Sequence, residues 1–168
     1  MKDDVNMARF EEFYNAAVFG DRETTLKLLA ENPSLAKEAD DHGFTALHGV
    51  VGEDRVEIAE LLIQHGADVH AKNEMGMTPL HIAQWAMMVE VLVRQGADLN
   101  ALSKCGLTPL HVQAQEGEDT GSLEVMGALL KAGANPNIAD NRGMTPLAYA
   151  RQRDEQAKIS LLRAHGAK

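Results

Sequence analysis

Apolar residues along this chain fall into short runs at helical spacing, separated by polar turns that recur at similar intervals. Near the start, Phe10, Phe13, Tyr14 and Ala17, then Leu26, Leu28 and Leu29 after a break at Gly20-Asp21, predict two helices over residues 7–31. Asn32-Pro33-Ser34 should stop the second, because Pro33 has no amide hydrogen and restricts the residue before it. Further on, Val56, Ile58, Ala59, Leu61, Leu62 and Ile63 predict a helix closed by Gly66, a left-handed C-terminal glycine.

Between the helical runs the chain writes one six-residue stretch four times: Gly43-Phe44-Thr45-Ala46-Leu47-His48, Gly76-Met77-Thr78-Pro79-Leu80-His81, Gly106-Leu107-Thr108-Pro109-Leu110-His111 and Gly143-Met144-Thr145-Pro146-Leu147-Ala148. A weaker signature follows each copy, at Gly66-Ala67-Asp68, Gly96-Ala97-Asp98, Gly133-Ala134-Asn135 and Gly166-Ala167. Each threonine is expected to N-cap a helix, its hydroxyl accepting an orphan backbone N–H. The proline after it in three copies occupies the first helical position, where a missing N–H costs nothing. The threonines step by 33, 30 and 37 residues, close to the ankyrin period. On these motifs the chain resembles an ankyrin-repeat protein over nearly its whole length. The resemblance implies an all-α solenoid of stacked helix-turn-helix pairs with short β-hairpin or loop extensions.

Residues 1–168 then read as one domain of five repeats, at about 7–39, 40–72, 73–102, 103–139 and 140–168. The first lacks the six-residue stretch, and its charged Arg9, Glu11 and Glu12 suit a solenoid end that faces water. Thr78 to Gly96 spans 18 residues, against 21 for both Thr45 to Gly66 and Thr145 to Gly166. Counting inward places this deletion just after Trp85, in the turn between two helices. Thr108 to Gly133 spans 25, with the excess falling in Glu116-Gly117-Glu118-Asp119-Thr120-Gly121, a polar stretch expected as a surface loop. Its three acids match no EF-hand spacing. In the last repeat Gln156, Lys158 and Arg163 replace the Val56, Ile58 and Ile63 of the second, as if one face had been turned to water.

Composition narrows the function. Aromatics are 4% of the chain, so Leu, Val, Ile, Ala and Met must fill the core. With 16 basic and 25 acidic side chains the net charge is −9, and no basic run offers a start for nucleic-acid binding. A single cysteine, Cys105, rules out an internal disulfide and fits a reducing, cytoplasmic setting. Neither an apolar leader nor an 18-residue apolar run is visible, which predicts no membrane segment.

Seven histidines invite a metal or catalytic reading. The resemblance instead assigns His48, His81 and His111 to hydrogen bonds with neighbouring backbone, and leaves Ala148 with no following repeat to meet. His65 and His165 precede helix-ending glycines, where positive charge complements a helix C-terminus. No pair has the i, i+4 spacing of a helical zinc site, and no nucleophile elbow or phosphate-binding loop occurs. Cys105, beside Gly106 at an expected hairpin tip, is a candidate redox thiol with Lys104 as its one local activator. An enzyme, or a metal or redox sensor using histidine or Cys105, is therefore the alternative to a binding protein without cofactors.

In ankyrin proteins the hairpin tips and inner-helix ends line a concave, partner-binding face. Matched by position, the tips here are Asp41, His42 and Phe44, then Glu74, Met75 and Met77. Lys104, Cys105 and Leu107 follow, then Asn141, Arg142 and Met144. The inner-helix ends are Gly52 and Glu53, Trp85, Gln115 and Glu116, and Gln152 and Arg153. Phe44, Met77, Leu107 and Met144 would form an apolar stripe on the order of 30 Å long, since helix layers stack about 8 to 10 Å apart. Such a stripe suits a standard protein interface, or else packs neighbouring fingers together. The resemblance thus implies a monomer that binds a protein partner. The Asn32-Pro33-Ser34-Leu35 connection and compact architecture look like small bacterial ankyrin proteins, some of which regulate or confer immunity to a cognate effector.

Overall fold

The computed structural model describes residues 2–117 and 120–168, with side chains placed for 7–117 and 121–168. Among these residues ten α-helices follow one another as five pairs: α1 (Lys2–Phe19) with α2 (Arg22–Glu31), α3 (Ala46–Val50) with α4 (Val56–Gln64), and α5 (Pro79–Ile82) with α6 (Ala86–Arg94). The last two are α7 (Pro109–Gln115) with α8 (Thr120–Lys131) and α9 (Pro146–Gln152) with α10 (Gln156–Ala164). First members stack on first members, α1 on α3 through to α7 on α9, and second members likewise from α4 to α10. One continuous core runs between the two layers from Phe10 and Phe13 to Ile159 and Leu162.

The opening helix starts at Lys2, earlier than residue 7. It breaks at Gly20 as expected, and Asp21 caps α2 by accepting the Thr24 N–H at 3.0 Å. After Asn32 the chain makes a short 3-10 turn, Pro33–Ala36, which buries Leu35 and Ala36.

Thr45, Thr78, Thr108 and Thr145 are all extended N-caps, and Ala46 starts its helix as readily as the prolines do. In the first three the histidine three residues on completes a capping box. Its Nδ1 accepts the threonine N–H at 3.2, 3.1 and 3.1 Å for His48, His81 and His111. Their Nε2 atoms reach the carbonyls of Met77, Leu107 and Met144 at 3.1, 3.0 and 3.0 Å. A carbonyl can only accept, so each Nε2 carries the hydrogen and each ring is neutral. Among the described residues the finger loops between pairs form no β-ladder. The first has one isolated antiparallel bridge, Ala39 to Thr45.

Three expectations need correction at the opposite ends of the inner helices. First, the deletion lies before Trp85, not after it. Outer helices begin 11 residues after Thr45 and Thr145 but 8 after Thr78, so Trp85 corresponds to Arg55 and Glu155 and is the N-cap residue of α6 rather than an inner-helix end. Three residues is nearly one helical turn, so trimming α5 to one turn leaves the outer helix in register. Second, the excess in the fourth pair is not all loop. Thr120 and Gly121 belong to α8, which has 12 residues against 9 in α4, α6 and α10. Glu116 and Gly117 are exposed loop, while Glu118 and Asp119 lie outside the described residues.

Third, Lys158 does not face water. It is 2% exposed, and its ammonium donates to the carbonyls of Gln113, Glu116 and Gly117 at 2.9, 2.9 and 3.3 Å. It also pairs with buried Glu155 at 2.8 Å. The aliphatic stem fills the place of Ile58 while the charge closes the C-terminal end of α7. Gln156 and Arg163 are exposed as expected.

Candidate interaction surface

Each finger is built on a side-chain acceptor five residues before the capping threonine, a position the motif reading overlooked. Asp40 Oδ1 accepts the N–H groups of His42 and Phe44 at 2.9 and 2.8 Å. Asn73 does the same for Met75 and Met77 at 3.0 Å each, and Asp140 for Arg142 and Met144 at 2.8 and 2.9 Å. Ser103, with a shorter side chain, takes Leu107 alone, at 3.1 Å. The signal was visible as a polar residue at four corresponding positions, Asp40, Asn73, Ser103 and Asp140.

The tips are joined into a ribbon. Glu74 N–H donates to the His42 carbonyl at 2.8 Å, Lys104 to Met75 at 2.9 Å and Asn141 to Cys105 at 3.1 Å. Glycine is required where fingers meet: Gly76 has φ +73°, and a Cβ there would lie 2.9 Å from the Lys104 nitrogen. His42, Glu74, Met75, Lys104, Cys105, Asn141 and Arg142 point outward along this ribbon and are exposed. The apolar stripe behind them, Phe44, Met77, Leu107 and Met144, is half-buried, and Leu107 and Met144 pack against the core. The packing use of the stripe is therefore seen at Leu107 and Met144, while all four side chains keep part of their surface exposed.

The inner-helix ends do not join this surface directly. Gln115, Glu116 and Gln152 sit at the far ends of seven-residue helices, about 10 Å along the axis from the capping threonines. Gln115 is half-buried with Nε2 unpartnered among the described residues, while Glu116 and Gln152 are exposed. Trp85, 46% exposed, lies beyond the shortened α5 on the inter-helix turn side.

Electrostatics differ along the ribbon. His42 pairs with Glu74 at 3.2 Å, and the Glu74 hydrogen bond and charge raise its pKa. Burial lowers the pKa values of His48, His81 and His111, only partly offset by their carbonyl partners. At the last finger, burial would raise the Asp140 carboxyl, but hydrogen bonds from Tyr149 and the N–H groups of Met144 and Arg142, with the Arg142 charge, bring it down to about 2. Tyr149 donates to Asp140 Oδ2 at 2.6 Å, and the Arg142 guanidinium lies 5.4 Å from the centre of the Tyr149 ring. His65 and His165 donate from Nδ1 to the carbonyls of Leu61 and Leu161 at 2.9 and 3.0 Å. Among the described residues no group of three or more His, Cys, Asp or Glu could hold a metal ion, and no helix is long and apolar enough to cross a membrane.

Five stacked helix pairs with a hydrogen-bonded row of finger tips define a helical-repeat scaffold. The chain matches the family described as ankyrin repeats (3 copies) twice, over residues 13–102 and 86–168, and it belongs to the ankyrin-repeat family. A putative ankyrin repeat protein of fowlpox virus (strain NVSL) is 30% identical over 126 residues, covering 74% of this chain and 87% of the relative. Inversin of Gallus gallus is 44% identical over 72 residues, 43% of this chain and 6% of the relative. Protein phosphatase 1 regulatory subunit 27 of Homo sapiens is 49% identical over 41 residues, 24% of this chain and 27% of the relative. The chain thus spans only a small part of inversin and about a quarter of the phosphatase subunit. Ankyrin repeats are protein–protein interaction modules.

Proposed function

We propose that this chain is a non-enzymatic, monomeric, cytoplasmic binding protein that holds a protein partner on its finger face. The observation that carries the reading is the tip-to-tip ribbon, because it fixes exposed side chains from four fingers in one rigid row before any partner arrives. Preorganisation of that kind reduces the entropy lost on binding. The partner's role is proposed as a class: an effector or enzyme that this chain regulates or, as an immunity-type inhibitor, restrains. The regulatory subunit among the relatives supports the regulatory half of that class and does not identify the partner. An enzyme or sensor built on histidine has less support, since His48, His81 and His111 have both ring nitrogens engaged with threonine and backbone.

The test is capture of partners from the source cell followed by affinity measurement on two variants. Met75→Glu changes an exposed tip, and the Met77→Ala, Leu107→Ala pair thins the stripe. Both should weaken binding by about tenfold or more, roughly 1.4 kcal/mol, at temperatures where the variants remain folded. Unchanged affinity for both would remove the finger face as the binding surface.

A further inference from the structure

The two ends of the finger face carry the same acidic-aromatic arrangement, filled at one end and open at the other. At the C-terminal end, Asp140 Oδ1 holds the turn while Oδ2 receives the Tyr149 hydroxyl at 2.6 Å and lies 3.5 Å from Arg142 Nε. The Arg142 guanidinium also donates to the Tyr149 hydroxyl and covers its ring. This is an arginine site whose arginine comes from the chain itself.

Asp40 stands five residues before Thr45, as Asp140 does before Thr145, and holds its turn through the same two hydrogen bonds. The position of Tyr149, four residues after Thr145, is occupied after Thr45 by Gly49. Tyr14 from α1 fills that space: a Cβ on Gly49 would come within 2.6 Å of the Tyr14 hydroxyl. A tyrosine from another helix therefore stands in for Tyr149. The Asp40 charge is felt there, since burial first and Asp40 second raise the Tyr14 pKa. What is missing is the arginine, together with the tyrosine-to-carboxylate hydrogen bond that Tyr149 makes to Asp140. The arginine's position holds His42, which turns away to Glu74, and Asp40 Oδ2 has no hydrogen-bond partner among the described residues.

Around this vacancy lies an open groove of about 550 Å³. One wall is Met7, Phe10 and Tyr14 of α1, with the Phe10 and Tyr14 rings 6.0 Å apart. Glu11, Glu38, Asp40 and Asp41 supply four carboxylates, and among the described residues no Lys or Arg lines it. We infer that this groove receives an arginine side chain of a protein partner, its guanidinium on Tyr14 and Asp40 and an adjacent apolar residue against Met7 and Phe10. The planar guanidinium fits because it stacks on an aromatic face and donates to a carboxylate together, which a lysine ammonium does less well. The inference rests on the finger-face reading for the identity of the occupant as a protein, but its chemistry can be tested apart from any partner.

The test titrates the intact chain with two peptides, acetyl-Leu-Arg-Leu-amide and acetyl-Leu-Lys-Leu-amide, and follows backbone amide chemical shifts. Saturable shifts are expected at residues 7–14, 39–42 and 49, with the arginine peptide binding at least about threefold tighter. The Glu11→Gln, Asp41→Asn double variant changes exposed groups that make no structural hydrogen bond through their side chains, and it should weaken binding severalfold. Tyr14→Phe should narrow the preference for arginine over lysine. Shifts centred elsewhere, equal binding of the two peptides, or indifference to Glu11 and Asp41 would overturn the site. Arginine-selective peptide binding in a chain whose partner ignores Met75, Met77 and Leu107 would support the groove while removing the finger-face reading, so the two failures are distinguishable.

Discussion

The finger side and the inter-helix turn side of this solenoid are held together in different ways. On the finger side, bonds repeat from pair to pair: a side-chain acceptor holds each turn, a threonine caps each helix, and a histidine ties three of the four fingers to the next. On the turn side the spacing varies, with a deletion in the third pair and an insertion in the fourth. The shortened α5 is followed by its C-cap Ala83, whose carbonyl accepts from buried Gln113 of α7 at 3.1 Å. Gln84 N–H reaches back to Val51 at 3.3 Å. Gln113's own carbonyl is taken in turn by Lys158. Long side chains from later repeats thus close the ends of earlier inner helices, compensating for a deletion and an insertion. Repetition makes a regular surface on the finger side; irregular length is absorbed on the other side.

That difference can be broken at its most concentrated point. Lys158→Ala takes from Glu155 its one buried partner, leaving the more exposed Arg153, and leaves three carbonyls without their donor, and should cost about 3 to 5 kcal/mol in chemical denaturation. Burial would raise the Glu155 carboxyl, but Lys158 and Arg153 hold it below its ordinary value, so removing the lysine should also move its titration upward. A loss below about 1 kcal/mol would mean that the turn side contributes little. Gln113→Ala should cost about 1 to 3 kcal/mol, because the Ala83 carbonyl loses its side-chain donor at a buried site. Loss of exchange protection beyond α7, in α5 and α6, would show that the link spans both repeats.

Trp85→Ala sharpens the contrast from the other direction. Being 46% exposed and without a capping hydrogen bond, Trp85 should contribute about 1 to 2 kcal/mol, less than the 3 to 5 of a fully buried aromatic. Partner affinity should stay within about twofold if binding is confined to the fingers. A hot-spot loss of about 2 kcal/mol would extend the interface onto the turn side.

The smallest effect belongs to pH and to the finger side. His48, His81 and His111 have folded pKa values below the unfolded value of about 6.5, so protons bind the unfolded chain better. Their contribution is complete above about pH 6.5 and is lost as pH falls through the lower folded values. His42 has the opposite sign, its contribution present in acid and fading as pH rises through its raised value, but it is exposed and weak. Denaturation midpoints should therefore fall from about pH 7 to pH 5, more steeply than in a variant with glutamine at the three buried positions. A flat profile would contradict the neutral-histidine assignment.

The same contrast explains what could be read from the residues alone. The helix pairs and the caps follow from local spacing, because each capping bond is written within a few residues and repeated, whereas the role of His48, His81 and His111 came from the ankyrin resemblance, their Nε2 bonds reaching 26 to 33 residues along the chain. Trp85 and Lys158 were misplaced for a common reason. A deletion has no position in a single sequence until both helix starts are known, and a lysine in an apolar register reads as solvent-facing unless its acceptors, 41 to 45 residues away, are visible. The groove at Tyr14 is non-local in the same way, since a residue of α1 completes a site belonging to the first finger. The finger positions from His42 to Met144 follow by position, whereas Gln115 and Gln152 are separated from them by the length of a helix.

The finger face as the binding surface is tested most directly by hydrogen-exchange footprinting of the captured complex. Binding should slow exchange at residues 41–44, 74–77, 104–107 and 141–144, extend to 7–14 if the N-terminal groove is filled, and leave 52–55, 84–87 and 153–155 unchanged. Protection confined to the turn segments, with the four fingers exchanging as in the free chain, would contradict it.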